Sequence, residues 1–374
     1  MRKTARLVKR GVSLTLPEEI LIEIMSRLPV KSLGRLMCVS KYWLRLICSP
    51  HFTKQQLHHA SSRLIFTVAL DTRINLVSLA YSRSNAVTDY KVLVSSGLKL
   101  VGSCNGLVCL SDYKRHVVLR NPVTKQTTDI RFGCYDNSKQ IYDLGFGYDS
   151  LTDAYKVVRL ELSFGKLIDV NLFRKECYEF YVFTVGTEKW RKIETPFCLH
   201  ENSRFTPYVN GSLHWFNLDD KEGNLENDFI ISFNVGTEEF HKVPLKVRSK
   251  GDAMSLGVLQ ECLCVYDYFA YDKGFFDIWL MKEYGVQDSW TKLYSVPFPV
   301  DGSAYLEPFA VQRNGEVLVK DDFKSSLYRY NSKIGCVKEF FHGTIDWIMA
   351  VTYVESLVTL PSFIRDRAKG NETT

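Results

Sequence analysis

The residues of this chain that could carry chemistry are dispersed along it. The glycine pair Gly145-x-Gly147 lacks the third glycine of a dinucleotide-binding loop and follows no strand-helix-strand pattern, so we expect it in a turn. Asp149 and Asp153 flank a predicted turn and are best explained as turn formers. No H-E-x-x-H, G-x-S-x-G or phosphate-loop motif occurs in the sequence. We therefore predict no catalytic site, no metal and no cofactor.

Histidine and cysteine, the usual metal ligands and nucleophiles, form no cluster along the sequence. His214 and His241 lie in strand-like segments, which favours a core or surface role, and His116, His200 and His342 are far from both. The 10 cysteines include no C-x-x-C pair, and Cys262-x-Cys264 alternates as in a strand. This pattern favours buried thiols in a reducing compartment over disulfides or a zinc site.

The first structural elements are helices, in an apolar stretch from Leu14 to His59. Thr15 and Glu18 form a T-x-x-E capping box, with Pro17 inside the first predicted turn. Apolar residues then recur at helical spacing: Ile20, Leu21, Ile24, Met25 and Leu28. Glu23 and Arg27 are spaced to pair on the other side of this helix. Further helices are predicted after three capping serines, Ser32, Ser40 and Ser49 with Pro50.

These short helices carry more apolar side chains than they can bury against one another. The apolar positions cover more than one face, and about 45 residues is near the size at which a lone core is marginal. We therefore expect an exposed patch that binds a partner. One alternative is that the patch packs on the rest of the chain. Another is a helix-turn-helix that binds DNA, although only Lys41 and Arg45 follow Ser40 as base-reaching cations.

The helical stretch resembles a known motif. The matching segments are Leu16-Pro17-Glu18-Glu19-Ile20-Leu21, Arg27-Leu28-Pro29-Val30-Lys31-Ser32-Leu33 and Cys38-Val39-Ser40-Lys41 with Trp43 and Ile47. In order and spacing they resemble the F-box, which docks on the Skp adaptor of cullin-RING ubiquitin ligases. The resemblance implies adaptor contacts, or their direct support, at Leu16, Pro17, Ile20, Leu21, Ile24, Leu28, Pro29, Leu33, Val39 and Trp43. Gly34 departs from the motif and loosens the second helix by roughly 1 kcal/mol relative to alanine.

The charge of the chain is concentrated at its N-terminal end. Residues 1–60 carry 11 Lys/Arg and 3 Asp/Glu, a net charge of +8, whereas the whole chain carries +6. The remainder is thus nearly neutral, which argues against a nucleic-acid-binding face. We expect residues 1–13 to form a basic, disordered tail, with a nuclear-import signal as the second interpretation. Neither a secretory signal nor a membrane span is predicted, so we expect a soluble protein of the cytoplasm, the nucleus or both.

Beyond His59 the pattern changes to short, period-two, aromatic and β-branched segments. Trp190, Phe240 and Trp290 fall 50 residues apart, and a lysine follows each two positions later. A second repeated position, at Leu107, Leu213, Leu263 and Val317, recurs at about the same period or about twice it. Two motifs at one period of this length indicate four-stranded blades, so residues 60–361 should form an all-β, kelch-like propeller of about six blades. We expect the three repeated aromatics to pack between neighbouring blades.

The end of this domain should close the ring. We predict a last strand pair within Ile345–Leu360, with no repeat partner downstream, that completes the blade begun near Arg63. Closure would remove exposed strand edges. Residues 362–374 form a polar tail.

The propeller segments also resemble a known domain. Its matching residues are Ser103-Cys104-Asn105-Gly106-Leu107, Arg120-Asn121-Pro122-x-Thr124, Gly145-Phe146-Gly147-Tyr148-Asp149 with Tyr155-Lys156-Val157-Val158, Gly211-x-Leu213-His214-Trp215, and Trp279 with Glu283-Tyr284-Gly285-Val286-x-x-Ser289-Trp290. They are similar to the F-box-associated domain of plant F-box proteins. The resemblance implies a non-catalytic substrate receptor of an SCF-type ubiquitin ligase. Family members act in defence or in pollen self-incompatibility, and the sequence does not choose between these roles.

The target-binding surface is the least determined part of the sequence. An aromatic cluster in one predicted loop, Tyr268, Phe269, Tyr271, Phe275 and Phe276, could bind a target protein. The alternative is that these side chains cap a neighbouring blade. Two other functions stay open: a non-ligase scaffold that binds a helical partner, and a copper-radical oxidase of the kind that kelch propellers host, which would need a Tyr, Cys and His cluster.

Overall fold

The computed structural model describes most of the chain from residue 16 to residue 360. The described residues are 16–60, 62–70, 73–81, 86–94, 97–133, 139–163, 178–187, 189–197, 206–217, 229–247, 254–268, 274–298, 306–312, 314–321, 324, 326–342 and 349–360. The chain divides into two compact units, Met1–Ala60 and Ser61–Thr374. The first contains helices and the second contains strands.

Four short helices make up the described part of the first unit: α1 (Glu18–Met25), α2 (Val30–Met37), α3 (Lys41–Ile47) and α4 (Pro50–His59). The predicted caps of the last two helices are confirmed. The Ser40 hydroxyl accepts a hydrogen bond from the Trp43 amide at 3.3 Å, and the Ser49 hydroxyl accepts one from the Phe52 amide at 3.2 Å. Each serine therefore satisfies an amide that the first helical turn leaves unpaired.

The predicted starts of the first two helices differ from the structure. Pro17 and Pro29 occupy the N-cap positions, and neither helix has a side-chain cap. Ser32 lies inside α2 because the Pro29 carbonyl already accepts the first helical hydrogen bonds, from the Ser32 amide at 2.8 Å and the Leu33 amide at 3.1 Å. The predicted cap at Ser32 is therefore wrong. Pro17 precedes the helix rather than lying within it, and Thr15 of the predicted capping box is outside the described residues.

The helices pack together around a small buried core. Its fully buried members are Leu33 of α2, Ile47 of α3 and Phe52 of α4. A polar contact joins α1 to α4, since the Gln55 amide group donates to the Glu23 carboxylate at 3.0 Å. Glu23 also forms the predicted pair with Arg27, one helical turn away.

The described part of the second unit contains antiparallel strands. In chain order they are β1 (Ser62–Leu70), β2 (Arg73–Tyr81), β3 (Ala86–Val94), β4 (Lys99–Cys104), β5 (Leu107–Ser111), β6 (His116–Arg120), β7 (Thr127–Arg131), β8 (Lys139–Asp149), β9 (Ala154–Ser163), β10 (Tyr178–Thr184), β11 (Arg191–Ile193), β12 (Tyr208–Val209), β13 (Ser212–Asn217), β14 (Phe229–Asn234), β15 (Phe240–Pro244), β16 (Met254–Leu259), β17 (Cys262–Asp267), β18 (Phe275–Met281), β19 (Trp290–Pro297), β20 (Leu306–Val311), β21 (Val317–Asp321), β22 (Ser326–Asn331), β23 (Cys336–His342) and β24 (Met349–Val354).

These strands form six four-stranded sheets within the described ranges, which are the blades of a β-propeller. Five blades use four consecutive strands each, beginning at β4, β8, β12, β16 and β20. The remaining blade has the order β24-β1-β2-β3. The first strands neighbour one another in turn, with β13 making the contact to β16, so they line the centre of a closed ring. The predicted propeller of about six blades is confirmed.

The C-terminal strand closes the ring as predicted. β24 pairs antiparallel with β1, in a register that places Ser62 opposite Val354. The predicted strand pair is wrong in one respect, because β24 is followed by an extended segment without strand pairing at residues 355–360. Residues 345–348 of the predicted pair are outside the described residues.

Residues 355–360, which we call the C-terminal clasp, are held against the blade that begins at β4. The Asn121 amide group donates to the carbonyls of Ser356 at 3.0 Å and Val358 at 2.9 Å. The Leu360 amide donates to the Gln126 side chain at 3.2 Å. A Cβ at Gly106 would lie 2.1 Å from the Ser356 hydroxyl oxygen, so only glycine fits at this contact. Two motifs of the sequence, around Asn105-Gly106 and around Asn121, thus serve to hold the end of the domain.

The repeated aromatic residues join neighbouring blades, which confirms their predicted structural role. The Trp190 indole donates to the Arg131 carbonyl at 2.9 Å, and the Trp290 indole donates to the Pro244 carbonyl at 2.9 Å. In both cases the acceptor ends the outer strand of the preceding blade. Phe240 instead packs its ring on Phe180 of the preceding blade, with 5.0 Å between centroids. The second repeated position is the first or second residue of the second strand of its blade and is buried, at Leu107, Leu213, Leu263 and Val317.

The Gly145-x-Gly147 pair lies within β8 rather than in a turn, so that prediction is wrong. A Cβ at Gly145 would lie 2.6 Å from the Leu213 side chain, and one at Gly147 would lie 2.6 Å from the Tyr208 ring. The glycines therefore allow β8, the innermost strand of its blade, to pack closely against the next blade. The turn begins after Asp149, whose carboxylate accepts the Leu151 amide at 2.8 Å, in agreement with its predicted role.

Candidate functional site

An apolar stripe runs along the exposed face of α1. Leu16, Ile20, Ile24 and Leu28 are spaced four residues apart and are 53%, 47%, 51% and 36% exposed. Ile20 and Ile24 share a face of α1, whereas Leu16 precedes the N-cap Pro17 and Leu28 follows the C-cap Ser26; we call these four exposed residues the α1 stripe. The opposite face of α1 carries Ile22 and Met25, both buried. The helix is therefore apolar on both sides, and one side faces solvent.

A second exposed apolar pair lies beside α3. Val39, between α2 and α3, is 70% exposed, and Tyr42 in the first turn of α3 is 46% exposed. The Tyr42 ring contacts the edge of Trp43, with 5.1 Å between centroids. Sequence analysis did not single out Tyr42, which occupies the variable position of Ser-Lys-x-Trp. No local sequence pattern marked it as exposed.

The predicted adaptor contacts divide by burial. Seven of the ten are exposed: Leu16, Pro17, Ile20, Ile24, Leu28, Pro29 and Val39. Leu21 and Trp43 are half-buried. Leu33 has no exposed surface, so it can only support an interface from within the helical core. Their role as adaptor contacts stays a prediction.

Acidic and basic side chains of the helical unit lie in different places. The acidic residues of the described helices, Glu18, Glu19 and Glu23, all lie on α1. The lysines and arginines of the described helical unit are all exposed. Five lie between the end of α1 and the end of α3, and the sixth is on α4: Arg27, Lys31, Arg35, Lys41, Arg45 and Lys54. Hydrogen bonds from Arg27 and then from Gln55 lower the pKa of Glu23. The surface of α2 and α3 is thus positive and suits an acidic partner.

Of the three predicted target-binding aromatics among the described residues, one lies in the propeller core and two are half-buried. Phe276 has no exposed surface, so its predicted role as a surface contact is wrong, because the ring fills the space between blades. Tyr268 packs on Phe276 at 5.5 Å between centroids and donates its hydroxyl to the Leu306 carbonyl at 2.7 Å. Phe275 is half-buried, and Phe269 and Tyr271 are outside the described residues. The alternative interpretation, that the cluster caps a neighbouring blade, fits Phe276 and Tyr268.

Other apolar side chains are exposed on the propeller. Leu151 is 71% exposed, Ile334 is 67% exposed and Val286 is 44% exposed. Each lies in a connection between strands of one blade: β8–β9, β22–β23 and β18–β19 respectively. Sequence analysis did not predict their exposure, although Val286 belongs to one of the motifs quoted there. They give the turns of three blades an apolar tip.

Three reactive side chains of the propeller, those of His214, Cys104 and Cys264, are buried. His214 has no exposed surface, and burial lowers its pKa to about 4. Burial also raises the pKa of the Cys104 thiol to about 12. The Cys264 thiol contacts the Tyr266 hydroxyl at 3.3 Å, but no group of three or more His, Cys, Asp or Glu side chains in the described part of the chain could hold a metal.

Among the described residues, no helix has both the length and the apolar composition needed to cross a membrane. The longest, α4, has 10 residues.

Two family models match the chain and together account for both units. A model described as the F-box domain matches residues 13–55. A model described as the F-box associated beta propeller domain matches residues 60–360. The first match contains the α1 stripe, Val39 and Tyr42, and the second contains all six blades.

Proteins of Arabidopsis thaliana are similar to this chain over most of their length. F-box protein CPR1 is 31% identical, covering 86% of this chain and 81% of its own. F-box/kelch-repeat protein At3g23880 is 31% identical, covering 86% of this chain and 88% of its own. F-box protein At3g07870 is 27% identical and covers 92% and 91% respectively.

Proposed function

Because the chain belongs to the plant F-box proteins with an F-box associated β-propeller domain, we propose that it is the substrate-recognition subunit of an SCF-type (Skp-cullin-F-box) ubiquitin ligase. The pairing of an F-box with a propeller supports a substrate-recognition role in general. In our proposal the helical unit binds the Skp adaptor, and the propeller binds a target protein.

The exposed α1 stripe is the observation that carries the adaptor assignment. Leu16, Ile20 and Ile24 each leave about half of the side chain in solvent. Full burial of such a side chain is worth about 1.5 to 3 kcal/mol, so burying the exposed half contributes about 1 kcal/mol for each. Four such residues, two on α1 and one beyond each of its ends, give a partner helix or groove enough apolar surface to bind specifically.

The mechanism we propose is proximity. The chain holds a lysine of the target near a ubiquitin-conjugating enzyme, which makes a bimolecular reaction effectively intramolecular. The receptor contributes no reacting side chain in this mechanism. We propose that it acts in the cytoplasm, the nucleus or both, which microscopy of a fluorescently tagged chain would test.

Paired substitutions in the α1 stripe test the adaptor assignment. We predict that Leu16→Ala with Ile20→Ala weakens binding of the purified Skp adaptor by about tenfold to a hundredfold, from the loss of about 1.4 to 2.8 kcal/mol of contact energy. Isothermal titration calorimetry on the full chain measures this. Ile334→Ala and Leu151→Ala remove equally exposed apolar side chains from the propeller and should leave the affinity unchanged.

The outcomes separate the competing functions. Wild-type affinity in the paired variant, with unchanged unfolding of both units, would show that α1 is not the docking surface. Adaptor binding without incorporation of a cullin in cells would favour the alternative function, a non-ligase scaffold with a helical partner.

A further inference from the structure

Gly34 has no structural reason to be glycine within this chain. It is the fifth of eight residues in α2, where glycine is the poorest helix former after proline. A Cβ at this position would meet no atom within 4 Å, and its backbone is not left-handed. Three glycines of the propeller differ in this respect, since a Cβ at Gly106, Gly145 or Gly257 would collide with a neighbouring side chain.

The position of Gly34 places it at the edge of an exposed surface. The thiol of Cys38, which is exposed, donates to the Gly34 carbonyl at 3.5 Å, so the two residues lie on one side of α2. The chain continues directly into Val39, 70% exposed, and then to Tyr42, 46% exposed. Neighbouring α2 and α3 are packed on each other, so these residues belong to one continuous surface.

The charges on this surface favour one kind of partner. Lys31 and Arg35 of α2 and Lys41 and Arg45 of α3 are all exposed, and neither helix carries an acidic residue. A partner that covers Val39 and Tyr42 must therefore present carboxylates around an apolar centre. The α1 stripe, by contrast, is on a helix that begins with Glu18 and Glu19.

We propose that Gly34 is a bare contact position in the adaptor interface, where an acidic surface of the Skp adaptor approaches the α2 backbone while Val39 and Tyr42 pack beside it. This inference rests on the proposed function. It adds that the absence of a side chain at residue 34, rather than the presence of one, determines how closely the adaptor can approach. Helix stability is given up at this position in exchange for close contact.

A graded series of side chains at position 34 tests the proposal. Gly34→Ala and Gly34→Gln both improve helix propensity, and a Cβ at this position meets no atom within 4 Å, so we expect the fold to tolerate both. Hydrogen exchange of the α2 amides in the full chain should become slower in both variants. Affinity for the purified Skp adaptor, measured by calorimetry, should fall about tenfold for alanine and further for glutamine. His58→Gln, at an exposed position of α4, is the matched control and should bind as wild type.

A second measurement examines the aromatic neighbour and the charge. Tyr42→Ala should weaken the adaptor complex at least tenfold, and the wild-type affinity should fall as salt concentration rises. Wild-type affinity in both Gly34 variants, together with weakened binding in the α1-stripe variant, would overturn this inference and leave the proposed function intact. Absence of adaptor binding by the wild-type chain would overturn both.

Discussion

His214 is a buried histidine whose ring connects two blades. Its Nδ1 lies 3.3 Å from the Pro207 carbonyl and its Nε2 lies 2.7 Å from the Tyr284 hydroxyl. Because a carbonyl can only accept, Nδ1 carries the proton and Nε2 accepts from Tyr284. Burial lowers the pKa of the ring to about 4, since the charged form would lose its hydration. The neutral ring is therefore part of the folded structure.

We predict that this histidine makes the propeller less stable in acid. The unfolded histidine takes up a proton near pH 6.5, but the folded one does so only near pH 4. Its contribution is complete above pH 6.5 and is lost as the pH falls to 4, by on the order of 3 kcal/mol. Urea unfolding at stepped pH measures this. His214→Asn should flatten the pH dependence in that window, although it also destabilises the fold.

The exposed His241 provides the control for this prediction. Its side chain is 58% exposed, so His241→Asn should keep the wild-type pH dependence. Equal slopes in the two asparagine variants would mean that other groups, such as carboxylates, cause the acid sensitivity.

Single residues were predictable where a repeat or a motif marked them. Trp190 and Trp290 recur at one period, and the period itself indicates a shared place between blades. Phe276 belongs to no repeat. Its aromatic-rich segment beside a loop has a composition that fits a binding surface and the edge of a core equally well. Tyr42 was missed because its exposure depends on how α3 packs, which no local pattern states.

At the scale of elements, the C-terminal clasp is held mainly by one side chain. The side-chain oxygen of Asn121, Oδ1, accepts hydrogen bonds from the Val123 and Thr124 amides at 2.9 and 3.2 Å. The side-chain amide group of the same residue donates to the clasp. One asparagine thus shapes its own turn and holds a segment from the end of the domain. Aspartate at this position would keep the turn and lose the donors to the clasp.

We predict that Asn121→Asp destabilises the propeller by about 2 to 4 kcal/mol, because two buried carbonyls lose their donor and face a carboxylate. Chemical denaturation measures the change. Asn234→Asp is the matched control, since the Asn234 side chain accepts the Gly236 and Thr237 amides in a similar turn, both at 2.9 Å. It should be close to neutral. A comparable loss of stability in both variants would place the effect in the turn and not in the clasp.

Elements were predictable to the extent that their causes were local. Ser40 and Ser49 cap their helices because a hydroxyl three residues before an amide is sufficient. Ser32 failed because Pro29 starts the helix one turn earlier. Strands followed from alternation, but the glycines of β8 were assigned to a turn because their packing partners, Leu213 and Tyr208, are distant in sequence. The clasp was not predictable for the same reason, since Asn121 and Ser356 are far apart in the chain.

At the scale of the whole molecule, the chain consists of two compact units that meet in sequence between Ala60 and Ser61. The blade count followed from the sequence because the repeat has one constant period, and ring closure followed because one blade lacked a strand. The identity of a target did not follow, because turn residues such as Leu151 and Ile334 carry no repeating signal.

We predict that a chain comprising residues 61–360 folds without the helical unit. All six blades and the C-terminal clasp lie within it, so calorimetry should show one cooperative transition at the same temperature as the propeller in the full chain. The Skp adaptor should not bind it. Aggregation or a lowered transition temperature would mean that the helices are needed for the stability of the propeller.

The pairing of β24 with β1 also sets the order of events on the ribosome. β1 is among the first parts of the propeller to be synthesised, and its partner β24 is among the last. Until then the nascent chain presents an unpaired strand edge, a template for misassembly with other chains. Translation that stops before Met349 therefore yields a propeller that lacks β24 and cannot close. Such products should depend on chaperones or be degraded.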